Sequence, residues 1–308
     1  MTELTPTSVR ARVREGLAAP ALEPIKAALQ ELRVNDAHLI GLVTGVNNYL
    51  VSQEPLIRVR EAVARAAGEA AAAAFPRYVL LLAAAEHVAD VPLVPVEQDV
   101  QRLLLEEFVQ LVSATGQEQD WFALGRPNFG AMCKMFTLRR FPAGHFHWEV
   151  SGLPRSTFLR VGGLDRARLI RAAWRLGGLA PLFVPHMPWR RHLMLSERQQ
   201  HLAYFRLAEA MRRQPQIRGM LAEAWFHAPD TPKVSPHLAF VNRIFHEWGG
   251  VVLDSGPAGE DSGVFVSGTR RRQLAAEGRF APRLGLVIWP RQDMLRWAAH
   301  YAGLREAV

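Results

Sequence analysis

His145, His147 and Glu149 stand at alternate positions in GHFHWEVSG, residues 144–152. On a β-strand alternate side chains share a face, so two imidazoles and a carboxylate point one way and Phe146, Trp148 and Val150 the other. Those are the donors of a mononuclear Fe(II) facial triad, or of a three-ligand zinc site with an open position, with His186, His227 or His237 as a further ligand. The same spacing also describes a half-exposed strand with an aromatic inner face and a wet polar face, or a metal-free acid–base group.

A second group lies in WFHAPDTPKVSPHLAF, residues 225–240. Ser235 followed by Pro236 reads as an N-cap and first helical position, which leaves backbone N–H groups pointing outward toward an anion. Glu223 and His227 stand near the end of the preceding strand, so Glu223, His227 and His237 are the candidate proton-transfer residues. Ordinary capping and turn chemistry accounts for the same pattern. A third group is SGTRRRQLAAEGRF, residues 267–280, where Ser267 or Thr269 caps a short helix. Arg270, Arg271 and Arg272 in its first turn carry the wrong sign for a helix N-terminus. Ser235, Arg270 and Arg271 are therefore candidate contacts to an anionic donor, although solvated surface arginines would look the same. Trp289 and Trp297 give this region a nucleic-acid reading as well. No recognisable nucleic-acid module surrounds it, and such a partner is not expected.

The elements that must position these residues fall into two parts. Residues 1–118 read as an acidic helical region. Helices are expected over Pro24–Val34, from Asp36 as cap through Val46, over Leu56–Ala74 with its alanine tract, and over Val96–Val112. SATGQEQD, residues 113–120, is the linker candidate, and GRPNFG at 125–130 marks a turn. Residues 119–308 read as a basic α/β domain. CKMFTLRRF, HFHWEV and STFLRVGG are expected as three strands of an antiparallel meander. An alternation of helix and strand then begins with a helix from Asp165, closed by Gly177 and Gly178. It runs through the strand LAPLFVPHM, a helix capped by Ser196, the extended IRGMLAEAWFHA, the helical PHLAFVNRIFHEW, the strand VVLDSG, the helix TRRRQLAAEG and the strand LGLVIWP. RQDMLRWAAHYAGL forms a last helix. The fold class is α+β: a helical N-terminal region, then a mixed sheet flanked by helices.

Composition narrows the function classes. The 308 residues are 49% hydrophobic and 21% charged, enough for a sizeable core. Residues 1–130 hold eleven Lys/Arg against sixteen Asp/Glu, and residues 131–308 hold twenty-six against thirteen, so the net charge of +8 belongs to the second part. That balance points to an anionic small-molecule ligand, or the acidic first part, as neighbour of the basic surface. The single cysteine, Cys133, excludes an intrachain disulfide and a cysteine-based metal cluster, and fits a cytoplasmic protein. The charged N-terminus has no signal-peptide core, and no stretch provides the roughly 18 uninterrupted apolar residues of a membrane span. GxxxxGK[ST], GxGxxG after a strand, HExxH and GxSxG are all missing. Seven of eight tryptophans and nine of eleven histidines lie at or beyond position 145, which places the active region in the second part.

From about residue 217 to 290 the order RGMLAEAWF, SPHLAFVNRIF, GGVVLD, RRRQLAAEGRF, LGLVIWP resembles the second half of a GNAT-type acyltransferase. The resemblance implies a central strand running into a cofactor-binding helix, with Glu223 where such enzymes often keep a general base. HAPDTPKVSPH stands in place of the glycine-rich pyrophosphate loop, and LAAEGRF lacks a tyrosine acid. The implied activity is acyl transfer from a thioester, on acyl-CoA or an acyl-carrier protein, to an amine. The alternatives are a mononuclear Fe(II) or zinc oxygenase or hydrolase using His145, His147 and Glu149, and a non-enzymatic binding or assembly protein. The sequence leaves oligomeric state open.

Overall fold

The computed structural model describes residues 4–114, 122–187, 196–259, 262–265 and 269–306. The chain divides into two compact units, residues 1–142 and 143–308. The boundary expected at 118/119 lies outside the described residues, as does the expected linker apart from Ser113 and Ala114.

The first unit is helical: α1 (Pro6–Leu17), α2 (Glu23–Glu31), α3 (Asp36–Gly45), α4 (Glu54–His87), α5 (Gln98–Ser113) and α6 (Pro127–Phe136), then the short strand β1 (Arg140–Pro142). The alanine tract is the centre of α4, which packs against α1, α2, α3 and α5. Ala71, Ala72, Ala83 and Ala84 are buried with Phe75, Val79, Leu80 and Leu81. Small side chains on several faces let neighbouring helices approach from more than one direction. Gly68, at φ 85°, breaks α4 into two helical segments, a conformation that costs any residue with a Cβ. The cap of α3 is Asn35, whose side chain accepts from the His38 N–H at 2.8 Å, and not Asp36. Asp36 instead accepts from the Tyr78 hydroxyl at 3.0 Å.

Three expectations change here. GRPNFG is not wholly a turn, because Pro127 opens α6, and CKMFTLRRF is not a strand through its first half. Phe129, Met132, Cys133 and Phe136 are buried at helical spacing; a window that begins at Cys133 cuts that period in two. STFLRVGG forms the short helix α7 (Thr157–Arg160), burying Thr157 and Val161 four residues apart. The three-stranded meander is therefore absent, and the strand HFHWEV pairs elsewhere.

The second unit contains β2 (His147–Ser151), α7, α8 (Gly163–Leu176), β3 (Leu182–His186), α9 (Glu197–Arg213), β4 (Gly219–Ala224), α10 (Thr231–Val234), α11 (Phe240–Glu247), β5 (Val251–Pro257), α12 (Thr269–Ala276), β6 (Arg283–Pro290) and α13 (Arg291–Glu306). Gly177 in the left-handed conformation closes α8, and the Ser196 hydroxyl accepts from the Gln199 N–H at the start of α9, both as the sequence implies. The fold is α+β with a six-stranded mixed sheet, five of whose strands lie in this unit in the order β2-β3-β4-β6-β5. β2–β3, β4–β6 and β6–β5 are antiparallel, and β3–β4 is parallel.

Strand alternation assigns each side chain to a face. One face presents Leu182, Leu221, Leu253, Leu286 and Ile288, covered by Leu169, Ala172 and Leu176 of α8 and by Val161. The other presents Trp148, Phe183, Met220 and Trp289. Tyr204 of α9 and Phe245 of α11 pack edge-on to Trp289, and Trp297 of α13 lies 5.3 Å from it. Much of the aromatic excess is thus core, although Trp174 is 82% exposed.

A close approach sets the end of β4. The chain leaves it through a turn of 3-10 helix, Trp225–His227, that lies directly on β6 at Gly285. A Cβ at Gly285 would overlap the His227 carbonyl. Gly285→Ala is expected to destabilise the unit by roughly 3 kcal/mol, read as a lower urea midpoint with an unchanged slope.

Candidate active site

β4 is bound unequally on its two sides. Six residue pairs join it to β6, Gly219–Ala224 against Pro290–Gly285, but a single pair, Phe183 with Met220, joins it to the parallel strand β3. Beyond that pair the carboxyl ends of β3 and β4 are not laddered to each other. In open sheets ligands bind in a crevice outside the carboxyl ends of neighbouring strands.

The side chains at that place share the α8 face. From β2 come His147 and Glu149, opposite His186 and Val184 of β3, and from β4 comes Glu223. His147 and Glu149 are buried, so the polar face of β2 is not wet as an isolated strand would be. Glu149 Oε1 lies 3.3 Å from His186 Nε2; the Glu149 side chain is 4% exposed and that of His186 36%. A buried carboxylate thus stands at ion-pair distance from one ring nitrogen of an imidazole that is partly accessible. On the neighbouring strand Glu223 pairs with Arg160 of α7, at 3.1 Å to Oε1 and 3.4 Å to Oε2, with Glu223 31% exposed.

His145 does not belong to this face. β2 begins at His147, and His145 sits in the preceding turn, closed by Ala143 N–H donating to the Phe146 carbonyl at 2.8 Å. Its buried ring packs edge-on to Phe146 at 4.8 Å. The alternation of three ligands along one strand thus reduces to two, His147 and Glu149. Among the described residues no three His, Cys, Asp or Glu side chains are grouped so as to hold a metal ion.

Glu223 and His227 part company. His227 is buried in the aromatic core, its Nδ1 2.9 Å from Asn242 Oδ1, and Asn242 Nδ2 donates to the His227 carbonyl at 2.9 Å. The pair ties the turn after β4 to α11. Burial pushes the His227 pKa down from 6.5 to about 4, against a smaller upward pull from Asn242. His237 is exposed in the 3-10 turn Pro236–Leu238. Ser235 precedes the 3-10 turn Pro236–Leu238, with Pro236 at its first position, but its side chain makes no capping hydrogen bond, and α11 begins only at Phe240. Its buried hydroxyl accepts from Arg271 Nη1 at 2.9 Å. Arg271 is buried too: Nε donates to the Val264 carbonyl at 2.6 Å and the guanidinium stacks 4.3 Å above the Trp225 ring. Arg270 is exposed on α12. Ser267, one of the two capping candidates, lies outside the described residues.

His186 and Arg160 are the members that spacing passed over as a pair with the two glutamates. His186 ends an apolar strand, and Arg160 lies in the segment that reads as extended. Only the register of β2 with β3, and the helical turn at Thr157, bring them to this face.

These features define an α+β protein with a mixed sheet whose two central parallel strands share a single laddered pair beside a polar cluster. No protein-family model and no curated protein matches the chain. Solved structures are similar to it. One is an acyltransferase in complex with decanoyl-CoA, at 15% identity and a TM-score of 0.48, covering 72% of this chain and 67% of that one. Another is an acyltransferase in complex with decanoyl-CoA and teicoplanin, at 17% identity and 0.47, covering 72% and 68%. No described helix is long and apolar enough to cross a membrane.

The His227 environment has a measurable consequence. Below pH 6.5 the unfolded chain takes up a proton that the folded chain refuses until about pH 4. Stability from this residue is therefore complete above pH 6.5 and lost as the pH falls toward 4, by at most about 1.4 kcal/mol per pH unit. Urea melts from pH 7 to 4 should show a shallower acid decline for His227→Gln than for the native chain; equal slopes would refute the assignment.

Proposed function

We propose that the second unit is an acyltransferase that moves an acyl group from a thioester, on CoA or a carrier protein, to an amine. The observation that carries this reading is the single laddered pair, Phe183–Met220, between the parallel strands β3 and β4, with Glu149 and His186 at the end of one strand and Glu223 and Arg160 at the end of the other. Unladdered strand edges offer backbone donors and acceptors to an extended partner. The phosphopantetheine arm shared by CoA and carrier proteins brings amide groups of the matching kind. The twofold excess of Lys/Arg over Asp/Glu in residues 131–308 favours a donor carrying phosphates.

His186 takes the proton from the incoming amine at Nδ1, while Glu149 holds Nε2 and so acts as a positioning residue. The amine nitrogen attacks the thioester carbonyl carbon, the C–N bond forms, the C–S bond breaks, and the thiolate leaves to be protonated. Glu223, held by Arg160, supplies a carboxylate at the adjacent strand end to hold the acceptor as its ammonium before proton loss. Arg270, exposed on α12, remains a candidate contact to donor phosphate. Arg271 reaches the site only by stacking on Trp225, two residues beyond Glu223, while its two hydrogen bonds tie α12 to Ser235 and to the Val264 carbonyl.

The test is release of free thiol from acetyl-, octanoyl- and decanoyl-CoA, and from the acylated carrier, in the presence of a panel of primary amines. His186→Ala should lower kcat by about 10²–10⁴ with little change in KM for the donor. Glu149→Gln should lower kcat less, and Glu149→Asp should restore part of it. Undiminished turnover in His186→Ala would remove the assigned base. Absence of both binding and turnover with every thioester would sink the reaction class itself.

A further inference from the structure

The helical unit contains a groove of about 750 Å³ lined from α1, α2 and α4, far in sequence from the residues assigned above. Its floor is apolar: Leu29 and Leu82 are buried, and so is the Tyr78 ring, whose hydroxyl is occupied with Asp36. Three cations line the groove, Arg14 from α1, Lys26 from α2 and Arg33 from the turn after α2, against one carboxylate, Asp36, which accepts from the Tyr78 hydroxyl. Lys26 is neutralised by Glu23 at 2.7 Å. Among the described residues Arg14 and Arg33 take part in no ion pair. Two uncompensated guanidinium groups thus face one groove in a stretch, residues 1–130, where acidic residues outnumber basic ones sixteen to eleven.

The backbone at Arg33 is a second, independent sign. α2 ends in the two-bond motif in which Arg33 N–H donates to the Gln30 carbonyl at 3.1 Å and Val34 N–H to the Leu29 carbonyl at 2.9 Å. The first donor of that motif is the left-handed residue, and Arg33 has φ 55°. Glycine fills that position without strain; arginine does not. A conformational cost kept at the lip of a cavity, on a residue whose charge is unused by the fold, is the pattern of a binding residue.

We infer that this groove binds a small amphiphile with an anionic head, a carboxylate or phosphate on an aliphatic chain. The forks of Arg14 and Arg33 hold the head, and Leu29 and Leu82 receive the chain. The site is independent of the proposed acyl transfer, and either can fail without the other.

Calorimetric titration of the full chain with sodium decanoate, decyl phosphate and decanol, each below its micelle-forming concentration, tests it. Both anions are expected to bind at one site, with decanol at least about tenfold weaker, and preference between decanoate and decyl phosphate assigns the head group. Arg33→Gly is the diagnostic variant. It should keep or raise the urea midpoint, because it relieves the backbone, while weakening the preferred anion about tenfold; Arg14→Gln should weaken it similarly. Decanol binding as tightly as the anions, anion affinity unchanged in the Arg14→Gln/Arg33→Gly double variant, or no binding of either anion, would each overturn the inference.

Discussion

The second unit turns on the unequal pairing of β4. A strand held along its whole length by β6 and at one point by β3 is fixed in place yet leaves one edge unsatisfied toward its carboxyl end. Buried backbone groups left without partners cost free energy, so such an edge persists where water or a ligand reaches it. The rest of the unit compensates for the opening. On one face α8 and Val161 seal the apolar cluster, and on the other the rings of Tyr204, Phe245, Trp289 and Trp297 interlock. The turn from Trp225 to His227 presses so closely on β6 that only glycine fits at position 285.

Burial and partner, more than residue type, separate the histidines. His227 and His186 both follow apolar strand sequence. His227 turns inward to Asn242 and is held neutral by desolvation. His186 lies at the accessible end of β3 with a buried carboxylate at one nitrogen. An imidazole suited to proton transfer needs both a partner that orients it and a path to substrate, and among the histidines considered as candidates His186 alone combines a buried carboxylate with a partly exposed ring.

Much of the α+β architecture was legible because its signals are local. Ser196 before an amphipathic run, Gly177 after one, and the alternation from Leu182 to Pro290 each depend on a few neighbouring residues. The failures have a common cause. CKMFTLRRF and STFLRVGG are short apolar stretches that fit a strand when cut out; the helical period of the first appears only when Phe129 is included in the window, and the second offers just one buried i, i+4 pair, Thr157 and Val161. The site was less legible still, because it is made by register. His147 meets His186, and Glu149 reaches the same ring, across a pair of strands separated by two helices; no spacing within one segment encodes that. The Ser235 reading failed for a tertiary reason: the hydroxyl that fits a cap is taken by Arg271.

The basic balance of the second part has a structural use that a count of charges hides. Arg291 Nη1 donates to the carbonyls of Met211, Gln214 and Ile217, at and beyond the end of α9, and Arg218 donates to those of Leu176 and Gly177 at the end of α8. Arg206, Arg166 and Arg272 hold the carbonyls of Ala143, Val161 and Phe265. Guanidinium groups thus satisfy backbone acceptors that the loops and helix ends leave over, and those at helix C-termini also complement the helix dipole. A carbonyl accepts a hydrogen bond without cancelling a charge, however. Arg291, Arg218, Arg166 and Arg272 do their structural work and still contribute positive charge to the field around the sheet. The same residues that close the loops of this unit therefore also make it attractive to an anionic ligand, and neither role has to be sacrificed to the other.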